Sequence, residues 1–191
     1  MSKYTKRGQA AASQTGQFDA VNAWHEAGHV AVGLSLGKEV ESVTIAPSPW
    51  RGKVAQAQTL WRAGWPANIL DHACVYLAGP FVEERKFPTF EHNWGGDERG
   101  LLVMCWRILS DTEETARITQ EESYQRALRG DVPQEVLAFR EEKKVAAQKK
   151  LALMFADGVL WGRVRVIAEA LLKHKTLTGV ELQPFLSEQG C

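Results

Sequence analysis

Apolar positions recur at helical spacing through FDAVNAWHEAGHVAVGLSLG (18–37), where Val21, Trp24, Val30 and Leu34 would form a buried face. Asp19 reads as the N-cap of this helix and Gly37 as its C-terminal stop. The pattern then shortens. EVESVTIAP (39–47) carries β-branched Val40, Val43 and Ile45 and is closed by Pro47, which predicts a short strand. KVAQAQTLW (53–61) alternates weakly and is expected to pair with it across the turn residues of SPWRG. Helical spacing resumes from Pro66, through Ile69, Leu70, Ala73, Leu77 and Phe81, with Gly79-Pro80 inside it as an expected kink. FPTFEHNWGG (87–96) reads as a loop, and LLVMCWRIL (101–109) as a buried helix. The remainder is helical by composition, with Asp131 as a further N-cap and Asp157-Gly158 as a break. The expected fold is mainly α (α+β), with a small sheet or hairpin beside the first helix.

Residues 1–17 are rich in Gln, Ala, Ser and Gly and read as a flexible N-terminal arm, leaving 18–191 as one domain. Lys+Arg and Asp+Glu both total 23. That balance argues against a protein that grips nucleic acid or anionic membrane by bulk charge. No apolar stretch is long enough to span a bilayer, and no secretory signal opens the chain. Cys74, Cys105 and Cys191 form neither a disulfide framework nor a cysteine zinc site, which points to a reducing, cytoplasmic setting. Seven tryptophans suggest exposed aromatic surface.

The chemistry sits in His25-Glu26-Ala27-Gly28-His29, an HExxH sequence on the first helix. Residues four apart share a helical face, so both imidazoles can reach one zinc ion. The adjacent Glu26 is then placed to take a proton from water and return it to a leaving amine. Gly28 would let another backbone come close to the site. Two histidines leave a catalytic zinc one protein ligand short. Asp97, Glu83, Glu84, His92, Glu91, Glu98, His72 and Asp71 are all candidates, and spacing does not choose among them. Asp97 has the best local setting, after Gly95-Gly96 at a helix start, although an N-cap role would explain it equally well. Glu83 and Glu84 could instead orient a ligand histidine from behind. The strand at 43–46 could offer an edge to an extended peptide.

Four blocks in order carry a family resemblance. HEAGHVAVGLSLGKEVESVTIAP, ILDHACVYLAGPFVEERKF, NWGGDERGLLVMCWRIL and IAEALLKHKTLTGVELQPFL resemble the protease domain of the FtsH-type AAA zinc proteases, over about residues 18–187. The resemblance implies a helical, zincin-like peptidase fold. It implies Zn2+ held by His25, His29 and Asp97, with Glu26 as the catalytic base. It implies peptides or unfolded protein segments as substrates, with an ATPase or regulatory partner supplied in trans. The departures are Gly79-Pro80 where the family has Gly-Gly, Gly96-Asp97 where it has Asn-Asp, and the lack of an AAA module or membrane helix in these residues. Gly79-Pro80 and the missing ATPase favour, as the competing reading, a catalytically silent, zinc-stabilised binding or regulatory module.

Overall fold

The computed structural model describes residues 4–50, 53–55, 58–61, 68–90, 95–109 and 120–187. The fold is mainly α with a small antiparallel sheet, as the hydrophobic pattern predicts. The first helix, α1 (Tyr4–Ser35), carries HExxH. Its backbone runs through residues 4–17, most of the stretch set apart by composition as an arm. Asp19 therefore lies inside the helix and is not its N-cap. Its carboxylate accepts from Lys175 Nζ at 2.9 Å, so a tertiary ion pair takes the group that local pattern assigned to capping. The other end is as expected. Gly37 has φ +73°, Lys38 N–H donates to Gly33 O at 2.9 Å and Gly37 N–H to Leu34 O at 3.0 Å. This pair of bonds closes the helix as a Schellman motif, which needs a left-handed residue at Gly37.

Strand β1 (Val40–Thr44) follows, then the short hairpin β2 (Ser48–Trp50) and β3 (Lys53–Ala55), then β4 (Gln58–Trp61). Only the second half of 53–61 pairs with β1, with Val43 opposite Thr59. The first half turns back on β2. The last strand, β5 (Thr176–Thr178), pairs with β1 from the other side, giving the order β4-β1-β5. The strand at 43–46 is thus central in this sheet, not an edge, and β4 is an outer strand. Thr44 Oγ1 and Thr176 Oγ1 meet at 2.7 Å across the β1–β5 pair.

Helix α2 (Ile69–Lys86) starts at N-cap Asn68, whose Oδ1 accepts from Leu70 N–H at 2.9 Å. It continues past Pro80, which is buried. Pro66 and Trp65 lie outside the described residues. Helix α3 (Gly95–Leu109) buries Leu101 to Trp106, including Cys105. Helix α4 (Gln120–Arg129) and α5 (Gln134–Met154) follow. The N-cap of α5 is Pro133, not Asp131, and no side chain caps it. Gly158, at φ +79°, makes the expected break before α6 (Val159–His174). Two single turns, α7 (Gly179–Leu182) and α8 (Pro184–Ser187), end the described chain.

The core is formed where α1, α2, α5 and α6 meet over β1, around Val30, Val43, Val82, Leu151, Ile167 and Leu171. At Gly28, α1 and α2 touch backbone to backbone. A Cβ there would stand 2.7 Å from Ala78 O and 3.0 Å from Val82 Cγ2. That close approach is the role the sequence suggested for Gly28, and it fixes how α2 faces the two histidines. None of the tryptophans with described side chains is exposed: Trp106 is buried, and Trp24 and Trp161 are half-buried. Among the described residues, no helix is long and apolar enough to cross a membrane.

Candidate metal centre

Burying ionisable groups is costly unless they are paired. Among the described residues the buried carboxylate and imidazole side chains are Glu26, His29 and Glu83, and all three lie at one place. His25 and His29, one turn apart on α1, bring their rings together edge-on, with centroids 4.8 Å apart. Their Nε2 atoms are separated by 3.1 Å. Asp97, in the first turn of α3, reaches both: Oδ2 is 3.0 Å from His25 Nε2 and Oδ1 is 3.3 Å from His29 Nε2. Asp97 lies within the helix and its carboxylate is turned to the imidazoles, so it does not serve as the N-cap.

The outer nitrogen of each ring is held by α2. His25 Nδ1 bonds Glu83 Oε2 at 2.5 Å, and His29 Nδ1 bonds the Val75 carbonyl at 2.6 Å. A carbonyl only accepts, so His29 donates from Nδ1, and its neutral form presents the Nε2 lone pair to a metal. Val75, Gly79 and Glu83 are four residues apart and form one stripe of α2 against the imidazoles. Gly79 is the gap in that stripe. A Cβ there would stand 2.5 Å from His29 Nε2 and 2.7 Å from His25 Nε2.

The donor set fits a divalent cation. Three acceptor-type atoms from His25, His29 and Asp97 converge within 4.8 Å. Metal–ligand distances of 2.0–2.1 Å in a tetrahedron place neighbouring ligand atoms about 3.3 Å apart, close to the separations found here. Two imidazoles and one carboxylate are also a set that suits zinc. His25 and Asp97 keep 15% and 21% of their side-chain surface open, so the centre is reachable from outside.

Without a cation, protons must hold the cluster together. Burial pulls the His25 imidazole down, but hydrogen bonds to Asp97 and Glu83 outweigh it and raise its pKa to about 10. Burial likewise opposes the charge on His29, and Asp97 overcomes it, so His29 is raised too. Burial pushes Asp97 up, yet the two histidines hold it well below the usual carboxylate range. Glu26 is different. Burial raises its pKa, against the pull of His29, His25 and a hydrogen bond from Thr59. That bond runs from Thr59 Oγ1 to Glu26 Oε2 at 2.6 Å and ties β4 to the centre.

The other candidates lie elsewhere. Glu84 is exposed, Glu98 binds Lys144 at 2.9 Å and Asp71 binds Lys150 at 2.5 Å. His72 has its pKa lowered to about 4, by burial and by Lys38, and is not part of the cluster. Glu91, His92 and Trp94 fall outside the described residues. Thr59 and the Val75 carbonyl were not singled out in the sequence. Thr59 becomes recognisable only once β4 is paired, and a backbone carbonyl leaves no sequence signal at all.

Glu83→Ala is expected to weaken zinc binding by about 10–100-fold, since it frees the His25 ring to turn. Glu83→Gln, whose amide oxygen still accepts from Nδ1, should lose less. Competition with a chromogenic chelator measures both.

No protein-family model matches the chain, and no curated protein matches it in sequence. The functional reading therefore rests on the geometry of this cluster.

Proposed function

We propose that the protein is a zinc metallopeptidase, an endopeptidase acting on peptides or unfolded segments. The observation that carries this reading is the paired arrangement of α1. His25 and His29 turn their Nε2 atoms to Asp97 while α2 pins their Nδ1 atoms, and Glu26 is buried beside them with a raised pKa. A group meant only to stabilise a fold has no use for a buried, uncoordinated carboxylate beside it. Among the described residues no fourth His, Cys, Asp or Glu joins the three, and three protein ligands are the pattern of catalytic rather than structural zinc.

When bound, zinc supplies Lewis acidity, making water more acidic and polarising a carbonyl. The protein supplies the rest. His25, His29 and Asp97 fix the position of the reaction. Glu26 accepts the proton of the attacking water and passes it to the leaving amine, a transfer favoured by a carboxylate whose pKa burial raises. Thr59 occupies Oε2 of Glu26 and leaves Oε1 to act. The outer strand β4, which carries Thr59, is suited to align an extended peptide by added strand pairing. The resemblance to FtsH-type proteases agrees with this assignment residue by residue. It suggests that folded substrates would require an ATPase partner in trans.

The test is hydrolysis of a mixed library of unstructured peptides by the zinc-loaded protein. Cleavage that a chelator abolishes and added zinc restores is the expected result. A protein that holds zinc but cleaves nothing in the library would instead be the silent binding module.

A further inference from the structure

An open cleft, with a volume of about 450 Å³, lies between α1, the end of α2 and the start of α6. Its walls include Trp24, Arg85, Lys86, Trp161, Gly162 and Arg165. We propose that it is a binding site for a nucleoside phosphate, with the Trp161 indole receiving the flat base and the three cations the phosphates.

Charge is the first argument. Arg85, Lys86 and Arg165 make no ion pair among the described residues, in a chain whose formal net charge is zero. Arg85 lies over the Phe81 ring at 3.4 Å, and Lys86 Nζ lies 4.3 Å from the Trp24 ring centroid. For Arg85 and Lys86 a ring face thus stands in for an anion, and both keep their hydrogen-bonding capacity for a ligand. Glu84 on α2, Glu169 on α6 and Asp157 just before α6 are exposed, and none pairs with these cations. Guanidinium forks match phosphate oxygens in geometry as well as in charge.

Shape is the second argument. Trp24 and Trp161 are half-buried, and Trp161 is braced by Phe155 at 5.0 Å between ring centroids. A braced indole is a ready stacking surface for a base. The volume lies in the range of small-ligand pockets.

Gly162 is the third argument. It sits inside α6, where glycine is a poor helix former. A Cβ on it would meet nothing within 4 Å. Packing therefore does not require glycine there, whereas a ligand in the cavity would.

The probe is ADP, with adenosine and inorganic pyrophosphate as its two halves, titrated against the zinc-loaded protein by tryptophan fluorescence and calorimetry. Arg165→Glu and Gly162→Gln are the variants, each checked for unchanged zinc content and helical circular dichroism. Saturable ADP binding, weakened about tenfold or more in both variants and by either half alone, is expected. No saturable ADP binding at millimolar concentration would overturn the proposal. So would ADP affinity unchanged in both folded variants, or pyrophosphate binding as tightly as ADP. Neither variant touches the HExxH centre, so these outcomes are independent of the peptidase assay.

Discussion

Glu26→Gln should lower peptide hydrolysis by about 10²–10⁴-fold, the usual contribution of a positioned general base. Zinc should stay bound, because Glu26 is not one of the three converging ligands. The fold should survive as well. Glutamine has the same shape, and its Oε1 can accept the Thr59 hydroxyl that now bonds Glu26. Removing a buried carboxylate also removes a desolvation cost. Activity and metal content should therefore separate cleanly in this variant. Hydrolysis within tenfold of wild type would take Glu26 out of the mechanism.

Gly79→Ala should weaken zinc binding by about 100-fold or more, as much as removing a group that supports a ligand. The added methyl would stand 2.5 Å and 2.7 Å from the two Nε2 atoms, well inside the roughly 3.5–4.0 Å at which nonbonded atoms rest. The rings cannot turn aside without breaking their Nδ1 bonds to Glu83 and Val75. Gly79 also precedes Pro80, where any Cβ crowds the proline ring in a helix. Both effects lower the melting temperature of the zinc-free variant, whereas only the clash at the imidazoles bears directly on zinc affinity. Gly162→Ala is the control, since nothing lies near its Cβ and zinc affinity should not change. Wild-type zinc affinity in Gly79→Ala would mean that the ion does not sit between these rings.

The parts of this centre that follow from local pattern were legible in the sequence. HExxH on a helix, the stop at Gly37, the break at Asp157-Gly158 and Asp97 at a helix start depend on neighbours a few residues away. Where a long-range partner competes, local reading failed. Asp19 fits an N-cap by type but is drawn to Lys175, 156 residues on. Asp131 has the same capping chemistry, yet α5 begins after Pro133. β1 reads as a strand from its β-branched residues, but its central place depends on β5, which the sequence pattern did not reveal. Glu83 and Glu84 are adjacent and alike in sequence. Only the packing of α2 on α1, set by Gly28 against Ala78, shows that residue 83 faces His25 while residue 84 faces solvent. In the sequence Gly79 and Pro80 together predict a kink. The reason for Gly79 is the space the two imidazoles need.

The central claim is that His25, His29 and Asp97 hold one zinc ion. Zinc stoichiometry on purified wild type and on Asp97→Ala tests it most directly. One zinc per chain is expected in the wild type, and loss or strong weakening in the variant with its helical content preserved. A wild type that takes up no zinc, or an Asp97→Ala variant that binds it as tightly, would contradict it.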